Sequence, residues 1–458
     1  MIRSIGLLVG LSLALCAAEV SKQPNIVFIM VDTLRWDHVS CYGYERETTP
    51  SWDRIASEGV RFETCIAASS WTLPSVMTMF TGLPPAIHGV HTYHDRLPEA
   101  ATTLAEVLSS AGYQTAAFVS NPTMNAKFGF GQGFQHYDDY SVFLTGAVRA
   151  LPDLTNDASA HGLRATGASI SAMGLRWLRS ARDANKPFFL LLGYFDPHAD
   201  YEPPPPYDTR FTDPAYTGTV DGRGMYGRRK PIDNPADRQH IRDLYDGEIL
   251  YTDHQIARVL TALDTLELTN NTIVVMISDH GEEFWDHGGL LHGHTLFDEL
   301  VRVPFVMRYP GVIPAGALEQ GLSAHADVMP TLLSLTGNSA AITTQGQDLS
   351  RRWRDRPPAT VDVTFSDTRL AKGGLFAIRN HQHKLVSATK GEARLFSLAS
   401  GSDEAVEATD ISARLAAQLA LWTASCEAAK LQGEERTVPT KLDPETMQRL
   451  RSLGYISD

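Results

Sequence analysis

The sequence predicts an α/β protein built on a doubly wound sheet, with a small α+β subdomain at its C-terminal end. Continuous apolar runs rich in β-branched residues recur along the chain, and helical patterns lie between them. This alternation is typical of parallel strands that helices cover on both faces. From about residue 345 the pattern changes to short strands, which predicts the smaller subdomain.

Five apolar runs have the length and composition of buried strands. They are Asn25–Val31, Thr115–Val119, Pro187–Phe195, Thr272–Ser278 and Pro304–Tyr309. Helical patterns occupy the intervals at Pro50–Glu58, Pro74–Thr81, Thr103–Ala111 and Ala168–Ala184. Three of these helical patterns stop just before a glycine, which is a common helix end. We therefore predict one large domain over residues 24–344 and the subdomain over residues 345–458.

Two stretches of the large domain lack periodicity. The first covers about 141–160, and the second runs from Asp200 to about Gln239 with many proline and glycine residues. Long irregular loops in compact domains commonly shape binding clefts, so we predict that role for the second stretch. In the subdomain we predict strands at Leu375–Arg379, Lys384–Ser387 and Arg394–Ser397, followed by a helical tail from Ile411.

The first residues have the form of a signal peptide. A basic start at Arg3 precedes the apolar run Ile5–Leu15, and small residues follow at Cys16-Ala17-Ala18. We predict a signal peptide over residues 1–18 and an exported protein, periplasmic or secreted. The run is shorter than the ~20 residues of a membrane span, so no stable transmembrane anchor is expected. Leu15 is bulky where a lipoprotein signal prefers a small residue, so a lipoprotein is the less favoured alternative.

Composition excludes some functions. The 458-residue chain has a net charge of −13 and no basic run with interleaved aromatic residues, so we do not expect nucleic acid as a partner. Cleavage of the signal peptide leaves Cys41, Cys65 and Cys426, an odd number whose spacing fits neither a disulfide framework nor a zinc finger. We predict structural thiols. Composition does not indicate an oligomeric state.

Polar side chains follow four of the predicted strands, at the point where each strand ends. They are Asp32, Asn121, Asp196 with His198, and Asp279 with His280. Ligands of doubly wound sheets bind at the carboxyl ends of the strands. We therefore expect these side chains to meet at one edge of the sheet and to form the functional site.

Several motifs resemble those of the sulfatase family, a branch of the alkaline phosphatase superfamily. They lie at Pro24–Arg35, Cys41–Tyr44, Ser70–Gly82, Ser278–Glu282, Leu300–Pro304, Asp327–Leu333 and Leu450–Tyr455. The resemblance covers nearly the whole mature chain. It implies an alkaline phosphatase-like sheet and a metal-dependent hydrolase that acts on a small anionic ester.

Four positions depart from the sulfatase pattern. Thr72 stands where sulfatases carry the cysteine that becomes formylglycine, and Val76 replaces the arginine that supports it. Thr33 replaces a second aspartate, and His280 replaces the asparagine of calcium-dependent members. Asp32, Thr72, Asp279 and His280 then form the predicted ligand set for a divalent metal. Because imidazole suits zinc or manganese better than calcium, we predict one of those two ions.

The resemblance also assigns roles around this set. Thr72 would be the nucleophile, and His198 resembles the substrate-binding histidine of the family and would be a catalytic group. Asn121 departs from the family, which carries a lysine in this region, but its amide can donate a hydrogen bond to a non-bridging oxygen, so we predict a catalytic and substrate-binding role for it as well. His292 and His294 lie where sulfatases carry a second substrate-binding lysine. Alternatively, Asp196, His292 and His294 would hold a second metal, because the spacing does not distinguish one ion from two.

The threonine decides the predicted chemistry, since it cannot become formylglycine but its hydroxyl can attack directly. We predict cleavage of phosphate, phosphonate or phosphodiester esters. Three alternatives stay open: sulfuric ester hydrolysis by the same residue, transfer of a phospho group to an acceptor, and a non-catalytic binding homologue.

Overall fold

The computed structural model describes residues 23–139, 166–226, 228, 231–339, 342–354, 363–370, 373–389, 391–399, 401, 403–431 and 447. The strands are β1 (Asn25–Val31), β2 (Val60–Ile66), β3 (Gln114–Val119), β4 (His136–Asp138), β5 (Phe188–Tyr194), β6 (Thr272–Ser278), β7 (Glu283–Phe284), β8 (Leu290–Leu291), β9 (Arg302–Val303), β10 (Phe305–Arg308), β11 (Ala317–Ala324), β12 (Thr364–Thr368), β13 (Leu375–Arg379), β14 (His383–Ala388), β15 (Arg394–Ser397) and β16 (Glu404–Ala405). The α-helices are α1 (Pro50–Glu58), α2 (Thr72–Thr81), α3 (Pro85–His88), α4 (Leu104–Ser110), α5 (Gly167–Arg176), α6 (Pro235–Thr265), α7 (Asp298–Val301), α8 (Val328–Leu335), α9 (Arg351–Arg354) and α10 (Thr409–Ala429). The predicted signal peptide, the 141–160 stretch and the Leu450–Tyr455 motif lie outside the described residues.

A large mixed sheet forms the centre of the molecule. Within the described residues its order is β11-β2-β10-β6-β1-β5-β3-β4, and β9 pairs with β2. The central strands β6, β1, β5 and β3 are parallel, as predicted. In their register Val31 lies beside both Tyr194 and Ser278, so β1, β5 and β6 end level with one another. The residues that follow these three strands therefore emerge at the same edge.

Helices cover both faces of the sheet. Alternate residues of β1 enter opposite cores, with Phe28 packed on the side of α2 and Ile29 on the side of α5 and α6. Burial on both faces explains why the β1 sequence is continuously apolar rather than alternating. The predicted alkaline phosphatase-like α/β fold is confirmed. Because α2 packs against the sheet, the position of its first residue, Thr72, is fixed.

The C-terminal subdomain contains the antiparallel sheet β12-β13-β14-β15-β16, against which α10 packs. The predicted short strands and helical tail are present, and β12 adds a strand that the sequence pattern did not indicate.

A buried ionic cluster joins this sheet to the large domain. Lys384 Nζ lies 2.8 Å from Asp298 Oδ1 and 2.8 Å from Asp403 Oδ1, and Arg379 Nη1 lies 2.8 Å from both oxygens of Asp298.

We expect Lys384→Met to lower the free energy of unfolding by about 3–5 kcal/mol, because loss of the ammonium leaves two buried carboxylates near each other. The lysine side chain is 1% exposed. Denaturant unfolding measures the change. The control is Arg54→Met, whose side chain is 36% exposed beside Glu58 and should cost less than about 1 kcal/mol. Equal losses in the two variants would contradict a role for the cluster in joining the two parts.

The second irregular stretch is shorter than predicted. It ends at Asn234, whose side chain accepts a hydrogen bond of 2.9 Å from the backbone of Ala236 and so caps α6. The assignment of residues up to Gln239 to a loop is therefore wrong. Pro235 occupies the first turn of a helix, where proline is favoured, rather than a loop. Strands β2 and β11 were not predicted either, because their sequences are less apolar.

The sequence also led to predictions about the cysteines, about membrane-spanning helices and about the domain boundary. Cys65 and Cys426 are buried, Cys41 is half-buried, and all three are free thiols, as predicted. Among the helices that the structure describes, none combines the length and the apolar character that crossing a bilayer requires. The boundary between large domain and subdomain at residue 345 stays a prediction.

Candidate active site

The carboxyl ends of the central strands bring three polar residues together. Asp32 follows β1, Asn121 lies just after β3, and Asp279 follows β6. All three side chains are buried, at 1% exposure or less. Because β1 and β6 end level, the carboxylates of Asp32 and Asp279 lie side by side. The convergence that the sequence predicted at this edge is present.

Thr72 is the first residue of α2 and comes from the opposite side of the cluster. The segment before it is fixed by Ser75, whose hydroxyl donates to the Ser69 carbonyl at 2.9 Å and accepts from the Ser69 amide at 3.2 Å. Gly293 also donates to the Ser70 carbonyl at 2.9 Å. The Thr72 hydroxyl therefore sits in a fixed position at a helix N-terminus, where the helix dipole favours an anion.

Two side chains contact the Thr72 hydroxyl, and two carboxylates lie against those side chains. Thr72 Oγ1 lies 3.3 Å from His280 Nε2 and accepts a hydrogen bond of 3.2 Å from Asn121 Nδ2. Asn121 Nδ2 also donates to Asp32 Oδ2. His280 Nε2 lies 3.6 Å from Asp32 Oδ1 and 3.5 Å from Asp279 Oδ2. The structure thus brings together the four residues that the sequence predicted as a ligand set, with Asn121 between the Asp32 carboxylate and the Thr72 hydroxyl.

The free atoms of this cluster fit a cation. Asp32 Oδ1 and Asp279 Oδ2 are buried and have no hydrogen-bond partner, although buried polar atoms are usually paired. His280 Nδ1 lies 2.8 Å from the Gly281 carbonyl, so it carries the proton and leaves Nε2 as the ligand atom. The ligand atoms of Asp32, Asp279 and His280 all lie within 4.8 Å of one another. Two carboxylates, one imidazole and one hydroxyl form a shell for a divalent ion.

The pKa shifts of the two carboxyls also favour a cation at this position. Burial, reinforced by the charge of Asp279, raises the pKa of Asp32 well above its usual value. Burial also raises the pKa of Asp279, and the neighbouring His280 opposes that rise. Two ionised carboxylates are therefore unfavourable in this site unless a positive charge lies between them.

Thr33 supports Asp279 from the backbone. Its amide donates to Asp279 Oδ1 at 3.2 Å, and the Tyr245 hydroxyl donates to its carbonyl at 2.7 Å. Thr33 has a φ of 53°, a left-handed conformation that costs free energy in a β-branched residue. This strained conformation directs the Thr33 amide toward the Asp279 carboxylate.

A second row of side chains lies beside the cluster and includes His198 and His292, two of the predicted substrate-binding residues. The His292 ring is 4.4 Å from that of His280 and 5.0 Å from that of His198. The Tyr226 hydroxyl lies 3.2 Å from His198 Nε2 and 3.3 Å from His292 Nε2. Burial lowers the pKa of both histidines, so both rings are neutral and can accept hydrogen bonds.

The predicted second metal site is not assembled. The Asp196 carboxylate accepts hydrogen bonds from Thr166 and Gly167 at the start of α5. His292 is held by Glu282, and His294 lies 2.7 Å from Glu283 with 35% of its side chain exposed. Among the described residues these three side chains do not form a metal-binding group, and the choice between one ion and two stays a prediction.

Sequence reasoning missed Glu282 and Tyr226. Glu282 is fully buried, and burial raises the pKa of its carboxyl to about 8. Its position two residues after His280 was the available signal. Tyr226 gave no signal, because it lies in the irregular stretch and reaches the row only through the tertiary fold.

Comparisons with known proteins agree with this geometry. A family model described as sulfatase matches residues 24–338. An N-acetylglucosamine-6-O-sulfatase of Bacteroides thetaiotaomicron is 27% identical over 422 residues, covering 75% of this chain and 73% of that protein. An arylsulfatase of Clostridium perfringens is 28% identical over 389 residues, covering 73% and 80%. The crystal structure of a phosphonate monoester hydrolase of Agrobacterium radiobacter superposes with a TM-score of 0.72 at 22% identity, covering 89% and 96%.

Proposed function

Because the chain belongs to the sulfatase family of metal-dependent hydrolases of sulfuric or phosphoric esters, we propose that it cleaves phosphate, phosphonate or phosphodiester esters through Thr72. One observation carries the proposal. A buried threonine hydroxyl, not a cysteine, lies at the N-terminus of α2, 3.3 Å from a histidine nitrogen and beside two unpaired carboxylate oxygens.

Thr72 supplies the nucleophile. Its oxygen forms a bond to phosphorus, and the bond from phosphorus to the departing alcohol oxygen breaks on the opposite side. The product is a threonyl ester of the phosphoryl or phosphonyl group, which water then hydrolyses to regenerate the hydroxyl. Formylglycine chemistry is not available to a threonine, and Val76 is a buried core residue in place of the arginine that supports formylglycine.

Asp32, Asp279, His280 and Thr72 would hold a divalent cation. When bound, such a cation lowers the pKa of the threonine hydroxyl and offsets negative charge on the transferring group. The imidazole in the shell favours zinc or manganese over calcium. The residues fit such an ion because their two unpaired oxygens and the Nε2 atom of His280 face one another.

The second row supports binding of the ester. Asn121 donates to Thr72 Oγ1 and so lies within reach of the oxygens of a group attached to that atom. Its orientation is fixed, because its side-chain oxygen accepts hydrogen bonds of 2.7 Å from both the amide and the hydroxyl of Thr123. His198 and His292 lie next to His280 and would border the bound ester.

Sulfuric ester hydrolysis by the same threonine is the second candidate. The observation that favours it is the identity of the relatives, which include an N-acetylglucosamine-6-O-sulfatase and an arylsulfatase. Sulfate and phosphate monoesters have similar shapes, so the pocket geometry alone does not distinguish them. A sulfate ester carries one negative charge, however, whereas a phosphate monoester carries up to two.

We expect the mature protein to hydrolyse phosphorus esters faster than a sulfate ester. The test compares 4-nitrophenyl phosphate, bis(4-nitrophenyl) phosphate, 4-nitrophenyl phenylphosphonate and 4-nitrophenyl sulfate, each with zinc, manganese or calcium. The expected result is the highest kcat/KM on one of the three phosphorus esters, with zinc or manganese. Turnover of the sulfate ester alone would reject the proposal in favour of the second candidate.

A further inference from the structure

Phe195 is a half-buried aromatic residue at the edge of the sheet where the candidate site lies. It follows β5 directly, and it is the one residue between Leu191 and Ala199 that is not buried. Within the described residues its ring does not pack into any of the apolar cores. A single exposed apolar side chain is ordinary on a protein surface, so the position of Phe195 decides what it can do.

The backbone fixes Phe195 beside the site from two sides. Its amide donates a hydrogen bond of 3.1 Å to Ser120 Oγ, and Ser120 precedes Asn121, which contacts Thr72 Oγ1. Its carbonyl accepts from the amide of His198 at 2.9 Å. The rings of Phe195 and His198 stack with their centroids 4.2 Å apart and their planes tilted by 24°. Phe195 therefore lies next to both the residue that contacts the nucleophile and the first histidine of the second row.

The rings beside Phe195 continue toward the metal-ligand cluster. The His198 ring is nearly parallel to the rings of Phe195 and Tyr226. The His292 ring meets that of His198 edge-on at 5.0 Å and lies 4.4 Å from the ring of His280. The other members of this row offer nitrogen or oxygen atoms, whereas Phe195 offers only apolar surface.

We propose that Phe195 is a specificity-determining residue, whose ring packs against the organic group of the ester and favours an aromatic group over a small alkyl group. The proposal rests on the function proposed above. When Thr72 attacks an ester whose oxygens contact Asn121 and His198, the organic group comes within reach of the Phe195 ring. Stacking of two flat rings removes apolar surface of both from water and adds a favourable contact between the rings.

The test measures the Kd values of phenylphosphonate and methylphosphonate by isothermal titration calorimetry, with zinc present. These ligands share the phosphonate group, differ in the organic group and contain no ester bond that could be cleaved. The ratio of the two Kd values is compared between proteins, so the difference in charge between the ligands cancels. The proteins are the wild type, Phe195→Ala, Phe195→Leu and the matched control Phe211→Ala. Phe211 is also half-buried, but its ring faces the guanidinium groups of Arg46 and Arg210.

We expect phenylphosphonate to bind the wild type about 10-fold more tightly than methylphosphonate. Phe195→Ala should reduce this ratio to about 2 and leave the Kd of methylphosphonate nearly unchanged, because only the contact with the ring is lost. Phe195→Leu keeps apolar surface without a flat ring and should give a ratio between those two. Phe211→Ala should keep the ratio of the wild type.

Three results would overturn the proposal: a wild type with no preference for phenylphosphonate, a ratio unchanged in Phe195→Ala, or an equal loss of affinity for both ligands. The last result would show that Phe195 supports His198 rather than contacting the organic group. The proposed function is tested separately by the four nitrophenyl esters above, the nitrophenyl panel. If only the sulfate ester is turned over, the proposed function fails, and the same ratios with benzenesulfonate and methanesulfonate decide the role of Phe195. Absence of binding by both pairs of ligands would overturn that role as well.

Discussion

Thr72→Ala is expected to lower kcat by a factor on the order of 10³ or more, because removal of a nucleophile eliminates the covalent step. Two threonine hydroxyls contact Asn121: that of Thr72 also lies 3.3 Å from His280 Nε2, whereas that of Thr123 donates to the Asn121 side-chain oxygen. Thr72→Ser keeps the hydroxyl and should retain part of the activity. Its loss of the γ-methyl frees the rotamer, so we expect a rate between those of the wild type and Thr72→Ala.

The measurement is kcat on the best substrate of the nitrophenyl panel, with metal content determined for each variant. Thr78→Ala is the matched control, since Thr78 lies on the same helix, is also buried and donates to the Pro74 carbonyl at 3.0 Å. We expect its kcat within about two-fold of the wild type, as for a buried hydrogen bond outside the site. Full activity in Thr72→Ala would reject Thr72 as the nucleophile, whereas loss of activity in both variants would indicate damage to α2.

The convergence of Asp32, Thr72, Asp279 and His280 could be predicted because it depends on local sequence and sheet geometry. Asp32 and Asp279 directly follow apolar runs that form parallel strands, and the register that pairs Val31 with Ser278 brings their carboxylates together. The helical pattern predicted from Pro74 lies directly after Thr72, and the observed helix begins two residues earlier, at Thr72 itself. Local patterns of this kind are readable because each one depends on a few consecutive residues.

Tyr226 of the second row could not be predicted, because its contacts join distant parts of the chain. Tyr226 and His292 are 66 residues apart, and neither neighbourhood shows periodicity. The role of Asp196 is difficult to read from sequence for a related reason. A carboxylate after a strand has the same sequence signature whether it binds a metal or accepts from the amides of Thr166 and Gly167. Sequence shows the ligand type but not which donors the fold supplies.

Added zinc or manganese is expected to raise the melting temperature by an amount that grows between about pH 5 and pH 8. Burial and mutual repulsion raise the pKa values of Asp32 and Asp279. A carboxyl whose pKa is raised in the folded state stabilises the protein at pH values below its unfolded-state pKa of about 4. That stabilisation is lost as the pH rises through the folded-state pKa. The chelated protein therefore loses stability with rising pH. Metal binding needs the ionised carboxylates and releases their protons, so its contribution increases over the same range.

Differential scanning fluorimetry with chelator or metal across this pH range measures the effect. At a metal concentration 100-fold above Kd the stabilisation is about 3 kcal/mol. Asp32→Asn should abolish the metal-induced shift and, in chelator at pH 8, melt higher than the wild type because one of the two repelling charges is gone.

Asp253→Asn is the control, since burial raises the pKa of Asp253 to about 7 but its carboxylate accepts from the Ser51 amide, away from the site. It should change the pH dependence in chelator and leave the metal-induced shift intact. A metal-induced shift that is independent of pH, or that persists in Asp32→Asn, would show that the ion binds elsewhere.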